Sequence, residues 1–192
     1  MKKILSILFL LASINCISQS AYLPLTQKSA TLELIRPANT SAYTALDVVG
    51  NDTAGLVSPA ILSFTSVATS KNSNSPVPAI GYITQAVIFT DQSACTAQFR
   101  LHLFTSTLTA IVDNAPYTAL YTSASKKIGQ INFAACATEG AGSTSASSTA
   151  YLSMPFRLPS ASTTIYGILE AIDGFTPASG QKFFIKLMFD SN

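Results

Sequence analysis

Hydrophobic and polar positions along this chain alternate with a period of two, the side-chain period of a β-strand. The strictest case covers residues 96–104, where Ala97, Phe99, Leu101 and Leu103 fall on one face and Gln98, Arg100 and His102 on the other. Residues 182–190 repeat the pattern, with Phe183, Ile185, Leu187 and Phe189 predicted to point inward. Residues 82–90 are apolar on both faces, as in a strand covered on both sides. Asp91, Gln92 and Ser93 supply turn chemistry after them, which predicts that 82–90 and 96–104 pair as a hairpin.

Further strand-like runs lie at 31–35, 48–49, 60–67, 127–133, 151–158 and 163–172. Arg36-Pro37 ends the first of these. Pro155 makes 151–158 an edge strand, because proline cannot donate to a central ladder. Gly167 and the β-branched residues of 163–172 argue for strand over helix. Residues 71–78 and the low-complexity run 139–149 are expected to be surface loops, and 117–121 a short helix or loop. The sum is about eight strands at regular spacing, which predicts an all-β fold, an antiparallel β-sandwich or jelly roll. One domain would cover 31–192, preceded by a linker or arm at 21–30.

Composition sharpens this picture. Charged residues make up 10% of the 192 positions, against roughly 25% in an average soluble protein. Ser and Thr replace them, as in many extracellular and capsid-like β-proteins. Lys2 and Lys3 precede an apolar run ending near Ile14, the n-region and h-region pattern of a secretory signal, with a plausible cleavage point before Ala21. The run is too short to span a bilayer, which needs about 20 residues. Cys16 offers a second reading as a lipidated cysteine, and a third is an apolar arm retained against a partner subunit. Membrane contact is expected only through residues 1–20, if they are retained or lipidated. Without Lys2 and Lys3, eleven basic residues become nine, equal to the nine acidic ones. No basic stripe is present, so no nucleic-acid partner is expected.

The candidate chemistry is sparse. His102 is the single histidine, and Arg100 rather than a carboxylate sits two residues away on its face, so a solvent-facing or cross-strand-paired role is expected instead of metal binding. Cys95 and Cys136 form a disulfide in an oxidising compartment or stay as buried free thiols in a reducing one. Ser123 and Lys126 match a Ser-x-x-Lys spacing, but its companion motifs are missing. Glu170 and Asp173 are the one carboxylate pair placed for acid–base work at a strand end. Tyr43, Tyr82, Tyr117, Tyr121, Tyr151 and Tyr166 are expected in the core or at an interface, with a sugar-binding face as the alternative. No cofactor motif occurs, and the expectation is a non-enzymatic protein.

Several stretches resemble an uncharacterised family of tailed-phage structural proteins. They read ELIRPANTSAYTALDVVG from Glu33, GYITQAVIFTDQSACTAQFRLHLF from Gly81, DNAPYTALYTS from Asp113, IGQINF from Ile128 and TTIYGILEAIDGFTPASGQKFFIKL from Thr163. The resemblance implies a virion component, a head decoration, cement or fibre-associated protein acting as a homo-oligomer against capsid or other virion proteins. It supplies no site residues. Residues 1–20 depart from that expectation, since a capsid component has no use for an export signal. They keep open an exported or lipid-anchored bacterial surface module that binds glycan or protein.

Overall fold

The computed structural model describes residues 26–53, 56–58, 62–65, 79–118, 120–160 and 162–191. Cys16, the apolar segment 1–20 and the loop at 71–78 lie outside the described residues. The strands are β1 (Thr26–Ile35), β2 (Val48–Val49), β3 (Asn51–Thr53), β4 (Leu56–Ser58), β5 (Leu62–Phe64), β6 (Ile80–Thr90), β7 (Phe99–Phe104), β8 (Lys127–Phe133), β9 (Ala137–Thr138), β10 (Ala146–Arg157), β11 (Ile165–Ala171) and β12 (Lys182–Ser191). A 3-10 turn at Tyr121–Lys126 is the one helical element among the described residues.

Two antiparallel sheets hold these strands. The first has the order β1-β12-β6-β10-β9, and the second β2-β11-β7-β8 with β5 also paired to β11. Strands β3 and β4 form a separate small ribbon. The fold is thus the all-β antiparallel sandwich that the alternation predicts, with the short strands β3, β4 and β9 added to those the sequence marks out.

The core lies between the two inner faces, and the period-two rows build it. Phe183, Ile185, Leu187 and Phe189 of β12 face Phe99, Leu101 and Leu103 of β7 across one continuous cluster, every one fully buried. Each such side chain contributes roughly 1.5–3 kcal/mol relative to exposure. Phe99 packs edge-on against Phe183 at 5.2 Å and against Phe175 at 5.5 Å. That geometry suits the ring quadrupoles.

The hairpin predicted from 82–90 and 96–104 does not form. Strand β6 pairs with β12 and β10, whereas β7 pairs with β11 and β8 in the other sheet. Eight residues, 91–98, separate the two strands, more than the 2–5 of an ordinary hairpin loop. Asp91 instead prolongs the β6–β12 ladder, its N–H bonding the Lys182 carbonyl and its carboxylate accepting the Lys182 N–H. The turn that follows, closed by Cys95 N–H to Gln92 O at 3.1 Å, carries the chain across to the second sheet.

Other boundaries move by pairing. Strand β1 begins at Thr26, inside the segment read as a linker, because Thr26 to Ala30 continue in register with β12. Strand β10 begins at Ala146, inside the run read as loop, because Ala146 and Ser147 sit between β6 and β9. Pro155 keeps its edge position, since β9 reaches only to those two residues.

Candidate functional site

The outer faces of the two sheets differ, and the difference decides where the polar side chains go. On the second sheet, Phe104, His102 and Arg100 of β7 point away from the core, as do Ile168 and Glu170 of β11 and Val48 of β2. Water does not cover this face. The chain leaving β7 folds back over it, and Leu108, Ile111, Tyr117 and Tyr166 pack around Val48, Phe104 and Ile168 as a second small core. Backbone bonds fix the cover: Val48 N–H to Ala115 O at 2.9 Å, Asn114 N–H to Val48 O at 3.0 Å and Tyr117 N–H to Leu46 O at 3.0 Å. The segment therefore lies along β2 as a further edge. Asn114 makes its turn at φ 58°, a left-handed conformation that Asn tolerates better than most residues.

Under this cover His102 is 3% exposed, so it is the cross-strand-paired histidine and not a solvent-facing one. Its Nε2 lies 2.8 Å from Oε2 of Glu170, the diagonal neighbour on β11. Glu170 also accepts from Arg100 Nη1 at 3.3 Å, and Arg100 Nε donates to Asn132 at 2.9 Å. The Tyr117 ring stacks on the imidazole at 4.0 Å, nearly parallel. Burial pushes the His102 pKa below its ordinary value, outweighing the opposing pull of Glu170. Burial thus favours the neutral ring, and the carboxylate beside Nε2 favours the tautomer that carries its proton there. Nδ1 and the Tyr117 hydroxyl are buried and have no hydrogen-bond partner among the described residues. Burial raises the Tyr117 pKa, and Glu170 adds to the shift.

This cluster has a base and an orienting carboxylate, and among the described residues no nucleophile is bonded to the base. Glu170 is 2% exposed and committed to His102 and Arg100. Asp173 is bound elsewhere, its carboxylate accepting the Gln98 N–H at 3.4 Å. The two carboxylates singled out for acid–base work therefore have separate partners. Ser123 and Lys126 lie on the 3-10 turn, where Lys126 Nζ donates to the Thr107 carbonyl at 3.3 Å. Among the described residues no three His, Cys, Asp or Glu side chains converge as metal ligands.

A second buried polar group was missed by sequence reasoning, which took Arg36 only as a strand stop. Arg36 is 1% exposed. Its Nε donates to the Tyr43 hydroxyl, which donates to Asp113, and its Nη2 lies 3.7 Å from Asp113. Its guanidinium also sits over the Tyr43 ring at 4.6 Å. Asp113 takes the Gly50 N–H at 2.7 Å, and a Cβ at Gly50 would come within 2.6 Å of the Asp113 Cβ. Only glycine allows that approach. The group ties the end of β1 to the start of the covering segment. Burial raises the Tyr43 pKa, and Asp113 reinforces it.

Cys95 and Cys136 are free, buried thiols in the main core cluster. The tyrosines, expected in the core or at an interface, fall into two groups. Tyr43 stacks on Phe175 at 5.0 Å and Tyr117 on His102, while Tyr82, Tyr121 and Tyr151 are exposed.

The first sheet has no cover on its outer face among the described residues. Outward-facing Phe184 and Phe89 pair across β12 and β6 at 6.4 Å, with Tyr82 and Ile80 further along β6 and Tyr151 on β10. Tyr151 is 82% exposed, and Phe184, Ile80 and Tyr82 each more than 40%.

These features define an all-β sandwich with one self-covered and one open outer face. No family model and no curated protein matches the chain. Among solved structures it is weakly similar to the X-ray structure of tomato aspermy virus, at 11% identity and a TM-score of 0.32, over 96% of this chain and 94% of that one.

Proposed function

We propose that the protein is a non-enzymatic structural component of a virus particle, a capsid decoration, cement or head-fibre-associated subunit, that works as a homo-oligomer through the open face of its first sheet. The observation that carries this reading is the set of outward-facing aromatic side chains on one sheet, the Phe89–Phe184 pair with Tyr82 and Tyr151 further along, on a weakly charged sandwich. Exposed apolar patches on this scale mark interaction surfaces. The resemblance to tailed-phage structural proteins supports the same reading.

The occupant of that face is a second copy of the chain. Lys186 and Asp190 both point outward from β12, one row to either side of Met188. Neither forms an ion pair among the described residues. A two-fold axis lying in the face along the Met188 row would set Lys186 of each copy over Asp190 of the other. Such an isologous contact is the commonest route to a closed dimer.

Mass spectrometry of purified particles tests the function. The chain should be present at a fixed ratio to the major capsid protein. Recovery only from culture supernatant, as a monomer, would overturn the reading. It would favour the exported or anchored surface module that residues 1–20 suggest. N-terminal sequencing separates the two further: an intact Met1 fits a retained arm, a start at Ala21 fits export, and an acylated Cys16 fits anchoring.

A further inference from the structure

Two loops meet at the end of the sandwich where the chain crosses from β6 to β7. The first carries Cys95, between β6 and β7, and the second carries Cys136, between β8 and β9. Two hydrogen bonds clamp them together: Cys136 N–H to Ala97 O at 3.3 Å and Thr138 Oγ1 to Ser93 O at 2.8 Å. Both thiols are buried in the same core cluster. They are not equivalent. Cys95 lines a cleft of about 320 Å³, together with Thr96, Gln92, Phe175, Ala178 and Gln181. Cys136 does not line it.

We propose that Cys95 and Cys136 are a thiol–disulfide couple, with Cys95 as the thiol that meets a small disulfide oxidant through this cleft and Cys136 as the thiol that resolves it. The Cys95 thiolate attacks one sulfur of the oxidant, forming a mixed disulfide and releasing the oxidant's other half as a thiolate. Cys136 then gives up its proton and attacks the Cys95 sulfur, expelling the second half as a thiol. The two cysteines lose two electrons and two protons, and the oxidant disulfide is reduced to two thiols. The electrostatics support the order of attack. Hydrogen bonds from Cys136, the Ala97 backbone and Gln181 bring the Cys95 thiol down to about 7, against the opposing effect of burial. Cys136, as donor to Cys95 and buried, is pushed up. Thiolate character, not cysteine content, sets which sulfur reacts first.

This inference is independent of the virion reading and is tested on the full chain carrying Cys16→Ser. Oxidised glutathione should convert the folded protein to a form two hydrogens lighter, with one cross-linked peptide pair joining Cys95 to Cys136. The product should melt about 10 °C higher than the reduced protein, as expected for closing a loop of this length. In Cys136→Ser a glutathione adduct should accumulate on Cys95, whereas Cys95→Ser should acquire adduct on Cys136 at least tenfold more slowly. If the folded Cys16→Ser chain keeps two alkylatable thiols after oxidation, or stops at a stable adduct with both cysteines present, the couple is overturned. Equal adduct rates in the two single variants would overturn the assignment of Cys95 as the entry thiol.

Discussion

The two outer faces of this sandwich solve the same problem in opposite ways. Each sheet has an inner face in the core and an outer face with apolar side chains on it. The second sheet hides Phe104 and Ile168 under a segment of its own chain, and that cover also takes His102 and Glu170 out of water. The first sheet leaves Phe184, Tyr82 and Tyr151 exposed. Buried titratable residues therefore mark the self-covered face, where they serve packing, whereas the charged residues of the open face, among them the Glu33–Lys182 ion pair, stay at the surface. Function on this molecule is to be sought where the chain does not cover itself.

That contrast depends on the faces being assigned correctly, and the harshest substitution checks this first. Leu101→Asp should abolish cooperative folding, because it buries an unpaired charge between the sheets. A soluble variant with a cooperative thermal transition would mean that the His102 side of β7 is the interior. Next in size, Ile168→Ala beneath the cover should cost about 2–4 kcal/mol in urea unfolding, as a buried truncation does. Tyr151→Ala on the open face should stay within about 0.5 kcal/mol in the isolated monomer. Similar costs for the two would erase the distinction between covered and open.

Glu170→Ala leaves the His102 Nε2–H and the partly buried Arg100 without their acceptor and should cost about 1–3 kcal/mol. The smallest effect is pH-dependent. Burial holds the His102 pKa below 6.5, so between the folded and unfolded values the unfolded chain binds a proton that the folded one refuses. The contribution of the neutral ring is complete above pH 6.5 and is lost as the pH falls below it. Glu170, Arg100, Lys127 and Tyr117 face or act on this ring, and only Glu170 favours its protonation. Denaturation at pH 7.5 and 5.5 should show stability dropping at the lower pH, and His102→Gln should flatten part of that slope.

Much of the sandwich was legible because its inner rows obey a strict period of two. Phe183 to Phe189 and Phe99 to Leu103 were read correctly from alternation alone, and β11 kept its strand character around Gly167. What failed was non-local. Turn residues after Thr90 signal a change of direction, but they cannot say that β6 already has a partner on each side in β12 and β10. The alternation of β7 put His102 on the polar face, and that is where it points. The cover that buries it comes from Tyr117 and its neighbours, and its partner Glu170 lies 68 residues further on. Arg36 was equally opaque, since its acceptor Asp113 is far along the chain. An arginine beside proline at a strand end gave no signal beyond termination. The cysteines were readable as a pair, but which of them meets a cleft was not.

On the proposed dimer, the uncovered first sheet is the self-association surface and Lys186 sits over Asp190 of a second copy. Sedimentation velocity on wild type, Lys186→Glu, Asp190→Lys and the double swap tests it most directly. Wild type should sediment as a dimer, each single variant as a monomer, and the double swap as a dimer again. A wild-type monomer, or a dimer unchanged by either single reversal, would contradict it.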